Sequence, residues 1–322
     1  MKRISIIYII PYLFSFIAAY SQNKSQAIPI VTLGLYNANL PPLGIGHFLR
    51  EDYLTGSCFA ISEGITYYFE RRSLDIKKDT INYPAVSDSS IVYNRRLKGF
   101  SSSEYRQWTL KDYSRVYEYN LRSLDMFMSY RAYRNDELHT IPLTQESLFQ
   151  LSMSPFKWKY ISRPDVYIPL LLSAGAALLE DENHPSLFQV KALNWMGYDM
   201  SPTSATIGNT IAEYVALTLV ALGEEMLFRG IIQTELSESV NPNFGLVASS
   251  VLFGLYHVPY NGWGYSLRAM AAGFYLGWQY QKSNYDLGRV IAIHFYIDFS
   301  MDIISFFKDP LDGRGVYSVQ LK

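Results

Sequence analysis

The sequence predicts an all-α protein, a polytopic membrane helix bundle with a C-terminal core of about five helices, preceded by a mixed, partly polar N-terminal region. Three observations support this prediction. Apolar residues make up 49% of the 322 residues and charged residues only 18%, against roughly 25% charged residues in soluble domains. The mean hydropathy is nevertheless only -0.01, so apolar segments must alternate with a sizeable polar region. The apolar, small-residue-rich segments lie after Pro164, and the polar region lies mostly before it.

The first 21 residues form the first predicted unit. Basic residues precede an apolar run over residues 4–19, which ends in the small-x-small pattern Ala19-Tyr20-Ser21 of a signal-peptidase site. Residues 1–21 are therefore predicted to be either a cleaved signal peptide or an uncleaved N-terminal anchor. In both cases the residues that follow begin on the far side of the membrane.

Residues 22–160 form an N-terminal region to which the sequence assigns no function. An apolar stretch near residues 54–70 contains Glu63 and predicts a short membrane segment, or alternatively an interfacial or re-entrant one. From residue 71 to 134 the chain is polar with clustered basic residues, which favours a cytoplasmic location, although an ordinary solvated surface explains the charges as well. Within this stretch, residues 117–133 have the apolar spacing of an amphipathic helix.

Residues 161–307 are predicted to form the helical core, and residues 308–322 a C-terminal tail. The first core helix lies in the stretch 166–179, whose small residues favour close helix contacts in membranes. Pro259 is predicted to end one of the later helices. Four further helices are predicted at residues 206–236, 243–257, 266–281 and 289–307.

Charge and cysteine content exclude several classes of partner and site. The formal net charge of -1 leaves no basic excess to neutralise phosphates, so no nucleic-acid partner is expected. The single cysteine, Cys58, excludes a disulfide framework and a cysteine-based zinc site within one chain.

Ionisable residues are sparse in the apolar helices, and their first cluster reads Glu224-Glu225-Met-Leu-Phe-Arg229. Glu225 and Arg229 are four residues apart, so they share one helix face and can pair. Glu224 lies about 100° around the helix from Glu225. One carboxylate is therefore free for proton transfer while its neighbour is held by an arginine.

Two histidines form the second and third clusters. His257 lies at the C-terminal end of an apolar helix, and His294 lies inside another. His294 and Asp298 are four residues apart and share a face, and Asp302 extends this polar stripe by one more turn.

Such a concentration of ionisable groups predicts one shared polar cavity, because an unpaired charge in lipid costs roughly 2.5–3.5 kcal/mol. The alternative is a surface salt bridge with satisfied core histidines. A carboxylate and a histidine on facing helices can hold and deprotonate a water molecule. Alternatively, His257, His294 and Glu224 are candidate ligands of a catalytic zinc. No serine or cysteine nucleophile stands out beside these motifs, so hydrolysis by an activated water is predicted.

These motifs resemble those of one membrane-protein family. The order Glu-Glu-x-x-x-Arg, Phe-x-x-x-His and His-x-x-x-Asn or Asp on successive membrane helices is the signature of CPBP proteins. That family includes the CAAX prenyl endopeptidases and bacteriocin-processing (Abi-type) relatives, and the resemblance covers residues 163–307. In this chain the motifs are Glu224-Glu225-Met-Leu-Phe-Arg229, Phe253-Gly-Leu-Tyr-His257 and His294-Phe-Tyr-Ile-Asp298.

The resemblance implies a helical membrane peptidase whose site lies in a cavity, of a type named metalloprotease. Glu224 corresponds to the family's water-activating glutamate and His257 to its partner. Glu225 and Arg229 are expected to organise the site.

The same resemblance makes His294 and Asp298 the oxyanion-binding or metal-binding pair. Asp298 stands where many members have asparagine, and an ionised aspartate cannot donate a hydrogen bond to an oxyanion. Asp298 is therefore expected to be protonated, to orient His294, or to help hold a metal. The cofactor is accordingly predicted to be zinc or none.

The leading prediction is an intramembrane endopeptidase that cleaves hydrophobic or lipidated peptide and protein substrates among membrane lipids, in the inner membrane of a bacterium. The alternative is a non-catalytic scaffold or immunity-type protein, in which the same polar residues are hydrogen bonds between helices. A transporter with a proton relay ranks last, because the core has no duplicated half.

Overall fold

The computed structural model describes residues 41–71, 91–93, 102–135, 139–179, 185–311 and 313–322. The predicted signal peptide or anchor at residues 1–21 lies outside these ranges, as do the basic residues between 72 and 90.

Most of the described chain is helical, which confirms the predicted all-α helix bundle. The 33-residue helix α3 extends well beyond the predicted amphipathic segment 117–133 at its N-terminal end. The helices are α1 (Ile45–Phe48), α2 (Tyr53–Arg71), α3 (Ser102–Arg134), α4 (Leu148–Ser152), α5 (Trp158–Ile161), α6 (Pro164–Leu179), α7 (Pro202–Glu225), a π-helical segment (Met226–Gln233), α8 (Thr234–Ser239), α9 (Pro242–Lys282) and α10 (Leu287–Lys308), with short 3-10 turns at Ser154–Phe156 and Leu187–Gln189.

Polar caps fix the starts of the three helices that carry the motifs. Ser201 precedes α7, Asn241 precedes α9 and Asp286 precedes α10, and each side chain accepts a hydrogen bond from the backbone amide three residues further on. Such caps satisfy amides that the first helical turn leaves without a partner. Pro202 occupies the first position of α7, where its missing N–H costs nothing.

The long helix α9 is a hairpin of two antiparallel halves. Gly262 has φ 75° and ψ 176°, a conformation open essentially only to glycine, and the chain reverses there. Across the hairpin, Gly254 lies against Met270, and Gly277 lies against Leu246. The two residue numbers of each pair add up to nearly the same value, as they do when two helices pack antiparallel.

The two halves of α9 correspond to the helices predicted at 243–257 and 266–281. The prediction that Pro259 ends the first of these helices is wrong, because α9 accommodates Pro259 and reverses only at Gly262. The conformational freedom of glycine, and not the missing N–H of proline, sets the turn.

The hairpin depends on close contact at Gly254, and we expect Gly254→Ala to destabilise the protein by about 1–3 kcal/mol. A methyl group there would lie 2.0 Å from Cγ of Met270 and 2.7 Å from the carbonyl oxygen of Ser266. Gly264→Ala is the matched control, since a methyl group at Gly264 meets nothing within 4 Å. Thermal unfolding in detergent measures both, and equal melting temperatures would contradict the expected packing.

The polar helix α3 packs directly along the helix that carries the first motif. A methyl group at Gly223 would lie 2.4 Å from Oδ1 of Asn120, and one at Gly230 would lie 2.5 Å from the ring of Phe127. Further along, Arg134 pairs with carboxylates of α8. The small residues of α7 and the π segment therefore allow α3 to pack closely against the segment that carries the first motif.

A four-stranded antiparallel sheet, absent from the predicted fold, lies beside the helices. Its strands are β1 (Ile91–Tyr93), β2 (Val190–Trp195), β3 (Tyr198–Met200) and β4 (Val316–Leu321), in the order β1-β4-β2-β3. In the central pair, Leu193 lies opposite Val319, and both side chains are buried in a small second core with Phe306 of α10. The predicted C-terminal tail thus contains a central strand.

One helix of the described residues, α10, is long and apolar enough to cross a membrane, with a mean hydropathy of 1.6 over its most apolar window. Helix α6 is apolar but shorter. Helix α2, which covers the short membrane segment predicted near residues 54–70, does not meet that criterion. Large apolar side chains are nevertheless exposed along several of these helices, among them Leu171 and Leu172 of α6, Ile207 and Ile211 of α7, and Val247, Trp263 and Leu267 of α9.

Candidate active site

The three motifs meet at one place, where the end of α7, the first half of α9 and the middle of α10 come together. Nε2 of His257 lies 3.9 Å from Oε1 of Glu224, and Nε2 of His294 lies 3.8 Å from its other oxygen, Oε2. The two histidines therefore flank one carboxylate, each facing a different oxygen atom.

Glu225 is the buried anchor of the site. Its Oε1 accepts a hydrogen bond from Nη1 of Arg229 at 3.1 Å and lies 2.7 Å from Nδ1 of His294. Both Glu225 and Arg229 are completely buried. The predicted pair four residues apart is present, and it also ties α7 to α10 through His294.

Arg229 joins the first motif to the second half of α9. Its Nη2 donates to the carbonyl oxygen of Gly273 at 2.8 Å, and its guanidinium lies 4.6 Å from the centre of the Phe253 ring. A methyl group at Gly273 would lie 3.0 Å from that ring and 3.4 Å from Nη2. The charge of Arg229 is therefore shared among a carboxylate, a carbonyl and an aromatic face.

The chain leaves α7 as a π-helix directly after Glu225. Such wide turns are frequent at functional sites, and they leave some carbonyl groups without their usual helical partner. Here Ser249 donates to the carbonyl oxygen of Phe228 at 2.7 Å, and Thr234 donates to that of Arg229 at 2.8 Å. These hydroxyl groups provide hydrogen-bond partners for two carbonyl groups of the π-helix. Directly before it, Glu224 faces His257 and Glu225 faces Arg229.

His257 is oriented by the helix that carries it. Its Nδ1 lies 2.7 Å from the carbonyl oxygen of Phe253, and a carbonyl oxygen only accepts, so Nδ1 carries the hydrogen. In the neutral ring, Nε2 is then the acceptor, and it faces Glu224. This is the tautomer that a base or a water-holding histidine requires.

His294 is oriented differently, because carboxylates lie at both of its ring nitrogens. Nδ1 faces Glu225, and Nε2 lies 3.2 Å from Oδ2 of Asp298. The structure thus brings together all six predicted site residues. Asp298 lies next to Nε2 of His294 and is more exposed than the histidine.

The candidate zinc ligands His257, His294 and Glu224 lie together at this site. Among the described residues, no group of three or more histidine, cysteine, aspartate and glutamate side chains has the arrangement of a metal site. Both ring nitrogens of His294 face carboxylates, so neither nitrogen has a free lone pair to offer a metal. These side chains do not fit a zinc site as arranged, and the acid–base groups of the protein itself are the ones available for chemistry here.

Sequence reasoning missed Tyr265 and Gly273. The ring of Tyr265 lies 5.6 Å from that of His257, centre to centre, and its phenol interacts electrostatically with Asp298 and Glu224. Only the reversal at Gly262 brings Tyr265 back to the site. The Gly-Trp-Gly sequence at residues 262–264, directly before Tyr265, was the available signal for a turn.

The arrangement suits the activation of a water molecule. A separation of 3.9 Å is too long for a direct hydrogen bond, and a water displaced from the Glu224–His257 line can contact both groups. Glu224 provides an acceptor for a proton, and His257 provides a second acceptor that fixes the water's orientation.

Comparison with protein families agrees with the geometry. Residues 207–300 match the family model of the type II CAAX prenyl endopeptidase Rce1-like proteins. That range contains every predicted site residue, although it is less than a third of the chain. Neither the curated proteins nor the solved structures include a match to this chain. The family is a membrane-embedded protease family, and the segment that carries the site is similar to its type II CAAX prenyl endopeptidase Rce1-like members.

Proposed function

We propose that the chain is an intramembrane endopeptidase that hydrolyses peptide bonds of hydrophobic or lipidated substrates, using a water activated by Glu224 and His257. The observation that carries the proposal is the pairing of a Glu224 oxygen with the acceptor nitrogen of His257 at 3.9 Å. The match to a protease family over the same residues supports it.

Glu224 is the proton acceptor in this proposal. The water attacks the scissile carbonyl carbon while its proton moves to Glu224, which gives a tetrahedral intermediate. When the C–N bond breaks, Glu224 returns that proton to the leaving amine. His257 holds the water through Nε2, and Glu225 holds the imidazole of His294 in place beside Glu224.

The oxyanion of the intermediate needs a donor, and Asp298 does not supply one while it is ionised. The N–H groups of His294 are directed at Glu225 and Asp298. Tyr265 has a phenol beside the site, and its side chain is partly exposed at 39%. We therefore assign oxyanion stabilisation in this chain to Tyr265.

Replacing Tyr265 by phenylalanine is expected to lower kcat about 10²-fold with little change in KM, since the variant keeps the ring and removes only the donor. Asp298→Asn in the Tyr265→Phe background should recover part of the loss, because an amide donates where a carboxylate does not. Steady-state cleavage kinetics of the two variants measure both effects. Full activity of Tyr265→Phe would show that the donor lies elsewhere.

The exposed apolar residues of α6, α7 and α9 support a membrane setting for the reaction. Side chains such as Leu171, Ile207 and Leu267 are stable at the surface when lipid surrounds them. The inner membrane of a bacterium is the location we propose, and a substrate reaching the site from lipid would carry an apolar segment or a lipid group.

The substrate class and the metal are tested together by cleavage of two peptides that differ only in a prenyl group on cysteine. Each is incubated with the reconstituted protein, with and without a chelator. We expect faster cleavage of the prenylated peptide. Activity that survives the chelator fits the metal-free route, and loss of activity that zinc restores would establish zinc as cofactor. Failure to cleave either peptide would contradict the proposed substrate class.

A further inference from the structure

A second polar cluster lies away from the motifs, between α7 and α10. Asn209 and Glu213 are four residues apart on α7 and share one face, and both are buried, Asn209 being 1% exposed and Glu213 0%. Asp302 of α10 faces them. The helices run antiparallel here, because Glu224 meets His294 at the other end of the same interface.

Several atoms of this cluster have no protein partner among the described residues. They are both amide atoms of Asn209, Oε2 of Glu213 and Oδ2 of Asp302. Asn209 lies beside Asp302, but the two side chains do not reach hydrogen-bond geometry. Buried polar groups in proteins almost always have a partner, either protein or ordered water.

The other oxygen of Glu213 is held by Tyr113 of α3 and by Arg314, which precedes β4. Oε1 accepts a hydrogen bond from the Tyr113 hydroxyl at 2.9 Å and lies 3.4 Å from Nε of Arg314. Arg314 also lies 3.4 Å from Asp112, and its side chain is partly exposed. Arg314 thus lies between the cluster and the surface.

The cluster leads directly to the candidate active site. Asp302 and Asp298 are one helical turn apart on α10, about 6 Å along its axis, and they interact electrostatically. Asp298 contacts His294, which contacts Glu224. A row of polar side chains therefore extends from Arg314 at the surface toward the proton acceptor.

The unpartnered atoms identify the ligand by their chemistry. Three of them are oxygens that can accept hydrogen bonds, and the fourth is the amide nitrogen of Asn209, with two hydrogens to donate. A ligand that both donates and accepts can satisfy all four atoms, and water does both. A metal ion fits less well, because the positively charged Arg314 lies beside Glu213 and no metal-binding group of three or more histidine, cysteine and acidic side chains occurs in the described part of the chain.

We propose that Asn209, Glu213 and Asp302 form a water-binding compartment that supplies the candidate active site along the α7–α10 interface, by way of Asp298. Its water-binding part stands on the geometry alone, and its supply part rests on the proposed hydrolytic function. Hydrolysis consumes one water for each bond cleaved, and the row of polar side chains is a route by which water can reach a site set among apolar helices.

Infrared spectroscopy of a single thiol tests the water-binding part without any reaction. In a Cys58→Ser background, Asn209→Cys places the thiol in the compartment. Ala292→Cys places it in the apolar core, where Ala292 is equally buried at 0% exposure. In D₂O we expect the S–H band of Asn209→Cys to convert to S–D at least tenfold faster than that of Ala292→Cys. Equal, slow conversion of both would overturn the compartment.

Cleavage kinetics test the supply part. Filling the compartment with Asn209→Leu and Asp302→Leu should lower kcat at least tenfold and leave KM unchanged. Asp302→Asn, which keeps a polar side chain, should retain most of the activity. Unchanged kcat in the doubly substituted protein would refute the supply role even if thiol exchange is fast. Absence of cleavage by wild type would refute the supply part together with the proposed function, while the exchange result would still decide whether the compartment holds water.

Discussion

Glu224→Gln is expected to reduce peptide hydrolysis by about 10²–10⁴-fold, the range for loss of a general base. Glutamine has nearly the same shape as glutamate, but its amide does not accept a proton from water. The substitution leaves the Glu225–Arg229 pair and the packing around it intact. The loss should therefore appear in kcat, with little change in KM or in the melting temperature.

Glu146→Gln is the matched control for this experiment. Glu146 pairs with Lys157 far from the motifs, and its side chain is 30% exposed. The control should keep wild-type kinetics in the same reconstituted preparation. A Glu224→Gln protein that cleaves as fast as this control would assign the proton acceptor to another residue.

Arg229→Met is expected to lower the free energy of unfolding by about 3–5 kcal/mol, the usual effect of removing one partner of a buried ion pair. Glu225 would be left as a buried carboxylate without its arginine, and the tie to the Gly273 carbonyl in α9 would be lost. Both consequences act on the packing of α7 against α9. Thermal or denaturant unfolding in detergent measures the change.

Arg163→Met provides the comparison, because it removes an arginine from an exposed ion pair with Asp165 in which the Arg163 side chain is 48% exposed. Exposed pairs of this kind contribute about 0–1 kcal/mol. The difference between the two substitutions should therefore be several degrees in melting temperature. Similar melting temperatures would mean that the buried pair is not a major support of the bundle.

The helices and the motif residues were predictable because their signals are local. Spacing by four residues placed Glu225 with Arg229 and His294 with Asp298, and both pairs are in contact. The caps that start α7, α9 and α10 are also set by a few neighbouring residues. Convergence of the three motifs required only that consecutive helices pack together.

The sheet was not predictable by the same reasoning. Strand β4 pairs with β2, which lies more than one hundred residues earlier in the chain, and the four helices α7 to α10 and the π-helical segment lie between them in sequence. Strands of three to six residues show too few alternations to be distinguished from loops. Helix α3 was underestimated because its N-terminal part is polar and gives a weak periodic signal.

The site residues that were missed depend on tertiary structure. Tyr265 reaches His257 only because Gly262 reverses the chain, and Gly273 matters only through its backbone carbonyl. The partners of Asp302 lie on another helix, so the sequence indicated the stripe on α10 but not the compartment opposite it. Local spacing predicts the groups on one helix, and only the packed bundle assigns their partners.

The most direct test of the account is cleavage of a library of hydrophobic peptides by the purified chain in lipid bilayers, with products identified by mass spectrometry. We expect defined cleavage products from wild type and the loss of those products in both Glu224→Gln and His257→Ala. A folded, membrane-inserted wild-type protein that cleaves no member of the library, with or without a prenyl group, would contradict it. That result would favour a non-catalytic scaffold in which the same polar residues only join the helices.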